Sequence, residues 1–120
     1  MSGAKHNPPA LLPLPPAVFH ILLCLGEGER HGYALKREIA RATDGQVVLG
    51  PAVLYRSIAK MLEQGLIEES AERPDPHLDD ERRRYYRLTD FGREVARAEA
   101  SRMKELVRKA QAQFGSTKLA

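Results

Sequence analysis

The sequence predicts a mostly α-helical fold with one small β-hairpin and a long helix at its C-terminal end. Apolar residues recur at helical spacing in several stretches, and glycine or proline separates these stretches from one another. Two short segments, near residues 66–71 and 83–88, instead resemble strands. With 120 residues, the chain has the size of one domain.

Composition sets the class of protein but not its function. Hydrophobic residues make up 42% of the chain and charged residues 29%, as in a soluble globular domain. The formal net charge of +3 is compatible with a polyanionic partner, but an excess of this size does not establish one.

Side chains that carry catalytic or metal chemistry are sparse. The single cysteine, Cys24, excludes an intramolecular disulfide and is expected to be a buried thiol, since it lies in an apolar run. His20, His31 and His77 are too scattered to predict a metal site. The sequence has no nucleophile elbow, phosphate loop or carboxylate pair. We therefore predict no enzyme activity, no metal and no cofactor.

The N-terminal segment, residues 1–14, is proline-rich and is predicted to be an extended arm that is loose unless it docks. An apolar run follows, but Pro13, Pro15 and Pro16 interrupt it, and it is too short to span a bilayer. We expect a cytoplasmic protein without a membrane segment.

Proline and glycine mark the ends of the first three helices. The first is predicted over residues 16–25 and is apolar over most of its surface, so it belongs at the centre of the core. The second runs from after residue 32 to about residue 43. The third begins at Pro51 and ends before Gly65, with one apolar face. Its remaining face carries Ala52, Tyr55, Arg56 and Lys60.

The two strand-like segments make a hairpin, since the polar, proline-containing residues 72–81 between them cannot form regular structure. Alternation puts Arg84 and Tyr86 on one side of the second strand and Arg83 and Tyr85 on the other. A hairpin that follows two such helices is the wing of a winged helix-turn-helix, here spanning residues 15–88.

The last helix, within residues 89–115, has Thr89 as a good N-cap and precedes a short tail at 116–120. Its apolar positions form a heptad seam, namely Ala96, Ala100, Met103, Val107, Ala110 and Phe114. Because nothing in the domain is left to cover this helix, we expect it to pair with the same helix of a second copy.

Four segments resemble the PadR family of bacterial transcriptional regulators. The second helix begins with His-Gly-Tyr at 31–33, and the third carries Leu-Tyr-Arg at 54–56. The wing strands are similar at Gly-Leu-Ile-Glu, 65–68, and at Tyr-Tyr-Arg-Leu-Thr, 85–89, with Gly92 following. The resemblance implies a homodimer, usually a repressor, that binds a palindromic operator in double-stranded DNA and often releases it on binding a small molecule.

Two departures limit what the resemblance carries over. Gly-Pro-Ala-Val at 50–53 stands where the family commonly has Ser-Pro-Gly-Thr, which removes two hydroxyls that could cap the third helix or bind phosphate. The chain also has no tryptophan, so the stacking of flat drugs between tryptophans that some relatives use does not transfer.

In this fold the third helix is the recognition helix, and its N-terminal residues meet base edges in the major groove. Ala52, Tyr55 and Arg56 are expected to contact DNA, with Tyr55 and Arg56 placed for base contact, and Lys60 is placed for phosphate contact. The run at 82–84 is the strongest basic cluster. We expect Arg82 and Arg83 to contact phosphates, with Arg84 turned inward or paired with an acid. Further phosphate contacts are expected on the second helix, from Lys36, Arg37 and Tyr33, although Tyr33 is equally plausible in the core.

Two other functions stay open at this stage. Residues 72–87 hold as many acids as arginines, and a near-neutral wing also suits a winged helix that binds proteins instead of DNA. A dimer that mainly senses a ligand would need a cavity between the first and last helices. Phe19, Met103 and Phe114 are the candidate lining residues for such an effector.

Overall fold

The computed structural model describes residues 7–70 and 84–115. These residues form a short 3₁₀ helix at Pro8–Leu11, four α-helices and a three-stranded antiparallel sheet. The elements are α1 (Pro16–Leu25), β1 (Arg30–His31), α2 (Gly32–Ala42), α3 (Pro51–Glu63), β2 (Ile67–Glu69), β3 (Tyr85–Leu88) and α4 (Asp90–Phe114). The predicted class, mostly helical with a small hairpin and a long last helix, is confirmed.

Helix α1 is the centre of the core, as its largely apolar sequence predicts. It packs against α2, α3, α4 and β3. Its buried side is formed by Val18, Ile21, Leu22 and Leu25. The facing side chains from α2 and α3 are also buried, namely Leu35, Ile39, Leu54, Ile58 and Met61. Each such side chain stabilises the fold by about 1.5–3 kcal/mol relative to exposure.

The sheet has one strand more than the sequence predicts. Strand β3 lies in the middle, with β2 on one side and the two-residue β1 on the other. In the wing hairpin Ile67 pairs with Leu88, and on the other edge Arg30 pairs with Tyr86. Tyr86 is fully buried and fixes the sheet to the helical core.

The start of α4 is held tightly against the end of α3 and the start of β2. The hydroxyl of Thr89 accepts a hydrogen bond from the Gly92 amide at 2.9 Å, so Thr89 is the predicted N-cap. The same hydroxyl lies 2.6 Å from the Gly65 carbonyl oxygen, to which it donates. A Cβ at position 92 would overlap the Leu66 carbonyl oxygen, so this close approach requires glycine.

The two halves of α4 have different surroundings. Gly92, Val95 and Glu99 are buried against the domain, whereas every side chain from 104 to 115 is exposed. The expectation that the domain leaves the whole helix uncovered is therefore wrong for its first half. Ala96, placed in the predicted seam, packs against the core of its own domain.

Residues 7–14 of the N-terminal segment are docked on α4. The 3₁₀ helix packs against α4, and Leu14 is buried. The Leu14 amide donates to Glu99 Oε2 at 3.0 Å, and the Arg102 guanidinium donates to both carboxylate oxygens at 2.6 and 3.0 Å. Hydrogen bonds from Arg102 hold the pKa of the Glu99 carboxyl below its usual range in spite of burial. Glu99 therefore stays ionised and ties the segment to the helix.

Candidate nucleic-acid interface

The turn between α2 and α3 fixes where the recognition helix begins. The Thr43 hydroxyl donates to the Ile39 carbonyl oxygen at 2.9 Å and accepts from the Val47 amide at 3.0 Å. Gly45 adopts a left-handed conformation, with φ of 80°, which ends α2. Leu49 is buried and anchors the chain just before α3. The start of α3 is thus set by the turn and lies at the surface.

One face of α3 is free of the core. Leu54, Ile58 and Met61 are buried, while Ala52, Arg56 and Lys60 are exposed at successive intervals of four residues. The structure therefore brings three of the predicted contact residues together in a single stripe. Val53, which sequence reasoning did not select, is exposed next to Ala52.

The two cations of this stripe, Arg56 and Lys60, have different neighbours. Among the described residues, no carboxylate lies within ion-pair distance of Arg56. Lys60 Nζ lies 3.8 Å from Glu63 Oε1, but both side chains are largely exposed. An exposed pair at this distance contributes little. Both cationic side chains are therefore available to contact a polyanion.

Tyr55 does not belong to the exposed stripe. Its side chain is half-buried against the core, and its hydroxyl oxygen is inaccessible to solvent. The physical reason is that Tyr55 follows Leu54 by about 100° around the helix, at the border of the buried face. In the structure Tyr55 packs against the core, whereas the sequence predicted that it contacts a base.

The first turn of α3 has a positive end without a side-chain cap. Gly50 is the N-cap, Pro51 follows, and the first turn contains no acidic residue. The amides of Ala52 and Val53 have no acceptor within the helix, and the helix dipole adds positive potential there. Such a terminus suits a phosphate oxygen. The start of α4 differs, since Thr89 caps it.

Helix α2 presents a second exposed cationic group. Lys36 and Arg37 are exposed, and no acid of the described residues pairs with either. Tyr33 is also exposed, so the core position that the sequence left open for it is not adopted. Its ring centroid lies 5.3 Å from that of His31, which in turn lies 3.9 Å from that of Tyr85.

The described arginines of the wing are paired. Arg84 Nη1 lies 3.1 Å from Glu69 Oε2, which confirms the expectation that Arg84 pairs with an acid. Arg87 Nε lies 2.8 Å from Glu68 Oε2. These cross-strand pairs leave the described wing close to neutral. Arg82 and Arg83, the predicted phosphate contacts, lie outside the described residues.

Cys24 lies beside an ion pair that sequence reasoning missed. Arg30 Nε donates to Glu38 Oε1 at 2.6 Å, and Cys24 Sγ lies 3.7 Å from the same oxygen. Burial, followed by the charge of Glu38, raises the pKa of the Cys24 thiol to about 11. The half-buried thiol is therefore neutral at physiological pH. It lines a cavity of about 100 Å³ between α1 and α2.

The three candidate effector contacts do not share one environment. Phe19 packs against the core, Met103 is half-buried and Phe114 is 78% exposed. Met103 and Phe114 are eleven residues apart, about 16 Å along the helix axis. A single protomer therefore cannot place both around one small molecule.

The described residues contain no group of three or more histidine, cysteine, aspartate or glutamate side chains that is arranged to hold a metal ion. None of the helices in this part of the chain combines the length and apolarity needed to cross a bilayer.

Comparisons with known proteins agree with this geometry. The model of the transcriptional regulator PadR-like family matches residues 21–98. A transcriptional regulator from Clostridium thermocellum is 28% identical, with a TM-score of 0.66 over 82% of this chain and 88% of its own. A PadR-like transcriptional regulator from Bacillus cereus is 21% identical, with a TM-score of 0.63 over 81% and 89% of the two chains.

A third solved structure contains DNA. Bacillus subtilis PadR in complex with operator DNA is 21% identical, with a TM-score of 0.57 over 68% of this chain and 44% of its own. At this identity the likeness shows the fold. A search of curated proteins found no match to this chain.

Proposed function

The chain belongs to the PadR-like family of transcriptional regulators, and from this premise we propose that it is a homodimeric, sequence-specific repressor that binds a palindromic operator. A small molecule or stress signal releases it from that operator. The observation that carries the DNA-binding part is the exposed face of α3, where Arg56 has no ion partner among the described residues and the helix start is uncapped.

In the proposed complex, α3 lies in the major groove with its N-terminal residues at base edges. Arg56 donates to O6 and N7 of guanine, the most common specific contact of an arginine. Lys60, further along the same stripe, contacts phosphate. The operator complex of Bacillus subtilis PadR supports this mode of binding because the two chains share the fold.

Phosphate contacts from outside α3 fix the orientation of the domain on the duplex. Lys36 and Arg37 of α2 supply them, with the exposed hydroxyl of Tyr33 beside them. Arg82 and Arg83 of the wing are proposed to add contacts to the backbone. These contacts carry affinity, whereas base contacts carry sequence preference.

The dimer is proposed to form along the second half of α4. The exposed side chains there include large apolar ones, with Val107 54% exposed and Phe114 78% exposed. Water-exposed apolar surface of this kind is stabilised by a partner. The seam runs from Ala100 through Met103, Val107 and Ala110 to Phe114. The effector site, if built from Phe19, Met103 and Phe114, would then take residues from both copies.

The test of DNA binding is fluorescence anisotropy at several salt concentrations. Duplexes enriched from a random pool are compared with scrambled versions of the same composition. Selective binding that weakens steeply with salt supports the proposal, because each phosphate contact releases counterions. Equal and weak binding to both duplexes would contradict it.

The test of the dimer is the mass in solution by light scattering. Val107→Asp places a charge in the seam and is expected to shift the protein from twice its 13.4 kDa protomer mass to the protomer mass. Ala112→Asp is the matched control, since residue 112 is exposed on the opposite side of α4. A Val107→Asp protein that stays dimeric would overturn the seam.

A second candidate function has one observation in its favour. Arg84 and Arg87 are paired with glutamates, so the described wing has little free positive charge and would also suit a protein partner. The salt series distinguishes the two functions. A protein-binding module would show no selective duplex at any ionic strength.

A further inference from the structure

The start of the recognition helix carries apolar surface that the core does not use. Val53 is 39% exposed in the first turn of α3, and Val48 is 59% exposed in the turn before it. Leu49, between them, is buried, so the chain at this point directs one apolar side chain inward and leaves two outside. The exposed parts of these two valines are apolar surface that the domain leaves uncovered.

The position of Val53 ties this apolar surface to the DNA-facing stripe. Ala52 and Arg56 are four residues apart on one side of α3, and Val53 is three residues before Arg56. Residues at both spacings are neighbours on a helix surface. The methyl groups of Ala52 and Val53 therefore lie one turn before the Arg56 side chain, at the end of the helix that enters the groove first.

We propose that Val53, with Ala52 beside it, contacts the 5-methyl group of a thymine in each half-site of the operator. Thymine alone among the four bases presents a methyl group in the major groove, and apolar side chains are its usual partners. Cytosine at the same place has only a hydrogen on C5, which leaves the valine without its methyl contact, and its C4 amino group finds no hydrogen-bond acceptor on this side chain. This specificity rests on the proposed DNA-binding function and adds a base preference to it.

The expected size of the effect follows from the burial of one methyl group. Removing one contacted methyl weakens binding about fourfold, since each buried methyl or methylene is worth roughly 0.8 kcal/mol. An operator without the contacted methyl in each of two half-sites should bind about fifteenfold more weakly. Other thymines of the operator should tolerate the change.

The test replaces thymidine by deoxyuridine, which differs from it only by the absence of the 5-methyl group. The probe is the tightest duplex from a random-sequence selection, with its thymidines replaced one at a time, and the protein is the full chain. We expect one symmetry-related thymine pair to show the weaker binding with the natural protein. We expect Val53→Ser to bind the thymidine and deoxyuridine forms of that pair equally.

The comparison of both proteins on both duplexes separates a direct contact from a change in DNA shape. A preference for thymidine that persists unchanged in Val53→Ser would come from the duplex or from Ala52 alone, and either result would overturn the role of Val53. Val48→Ser is the matched control, because it removes the other exposed valine, three residues before Pro51. It should keep the natural preference, and disappearance of the preference in this variant alone would assign the contact to Val48 and overturn the role of Val53.

Failure of this inference is distinguishable from failure of the proposed function. If a duplex is selected and bound tightly but every deoxyuridine form binds equally well, the methyl contact is excluded and the DNA-binding function stands. If no duplex is selected by a protein that is folded by circular dichroism, both are overturned.

Discussion

The helix-turn-helix surface and the wing both carry arginines and lysines, but the two regions hold them in different ways. On α2 and α3, Lys36, Arg37 and Arg56 are exposed and have no ion partner among the described residues. On the wing, Arg84 and Arg87 each pair with a glutamate of the neighbouring strand. For the described arginines of the wing, the positive charge that is available to DNA is therefore limited by their cross-strand neighbours.

The largest effect is expected from Arg56→Ala. If Arg56 reads guanine, its removal should weaken operator binding by about 1–3 kcal/mol, or roughly five- to 150-fold, and relax base preference at one position. Anisotropy titration measures the affinity, and a base-substitution series measures the preference. Arg97→Ala on α4 removes another exposed arginine and should leave both values unchanged. Equal losses of affinity in the two variants would mean that Arg56 contributes only through the net charge of the protein.

A smaller effect is expected from the double substitution Lys36→Ala and Arg37→Ala. These side chains are proposed to contact phosphate, so all sequences should bind more weakly by a similar factor. The slope of log affinity against log salt should become shallower by about 0.9 for each phosphate that the variant no longer neutralises. An unchanged slope would show that α2 does not reach the backbone.

The wing should respond least, and in the opposite direction. Glu69→Gln releases Arg84 from its 3.1 Å ion pair, and we expect binding to become about two- to fourfold tighter because one more cation can meet phosphate. Replacing both partners, Arg84→Gln with Glu69→Gln, should change affinity by less than about twofold. Anisotropy at low salt measures both variants. Much weaker binding by the double variant would mean that the paired arginine already contacts DNA.

Local signals in the sequence predicted most of the fold. Proline at 16 and glycine at 26 bound α1, and proline at 51 and glycine at 65 bound α3, so their limits follow from residues with restricted or unusual backbone preferences. Thr89 predicted the start of α4 for a related reason, since its hydroxyl caps the first turn. Strand β1 was missed because two residues have no periodicity, and pairing with β3 alone makes them a strand.

What the sequence did not predict depends on contacts between distant residues. Nothing in the sequence singles out Glu99, whose partner is the amide of Leu14, eighty-five positions away. Helical phase puts Tyr55 at the border between the buried and exposed faces of α3, and the packing of the domain decides that its side chain lies against the core. Such partners cannot be seen in one sequence without its tertiary structure.

The attachment of α4 has a mechanical consequence. The first half of the helix is fixed in the domain through Thr89, Gly92 and Glu99, and the same helix continues without a break to Phe114. In a dimer joined through the second half of α4, each α4 would connect the dimer interface rigidly to its own domain. A small rotation of the helix at the interface would therefore move the whole recognition helix. A helix of 25 residues spans about 37 Å, so a tilt of about 5° displaces its far end by about 3 Å. The two recognition helices must meet half-sites one turn of DNA apart, about 34 Å, and such a shift would move them out of register with those half-sites. An effector would therefore need to change only the dimer interface.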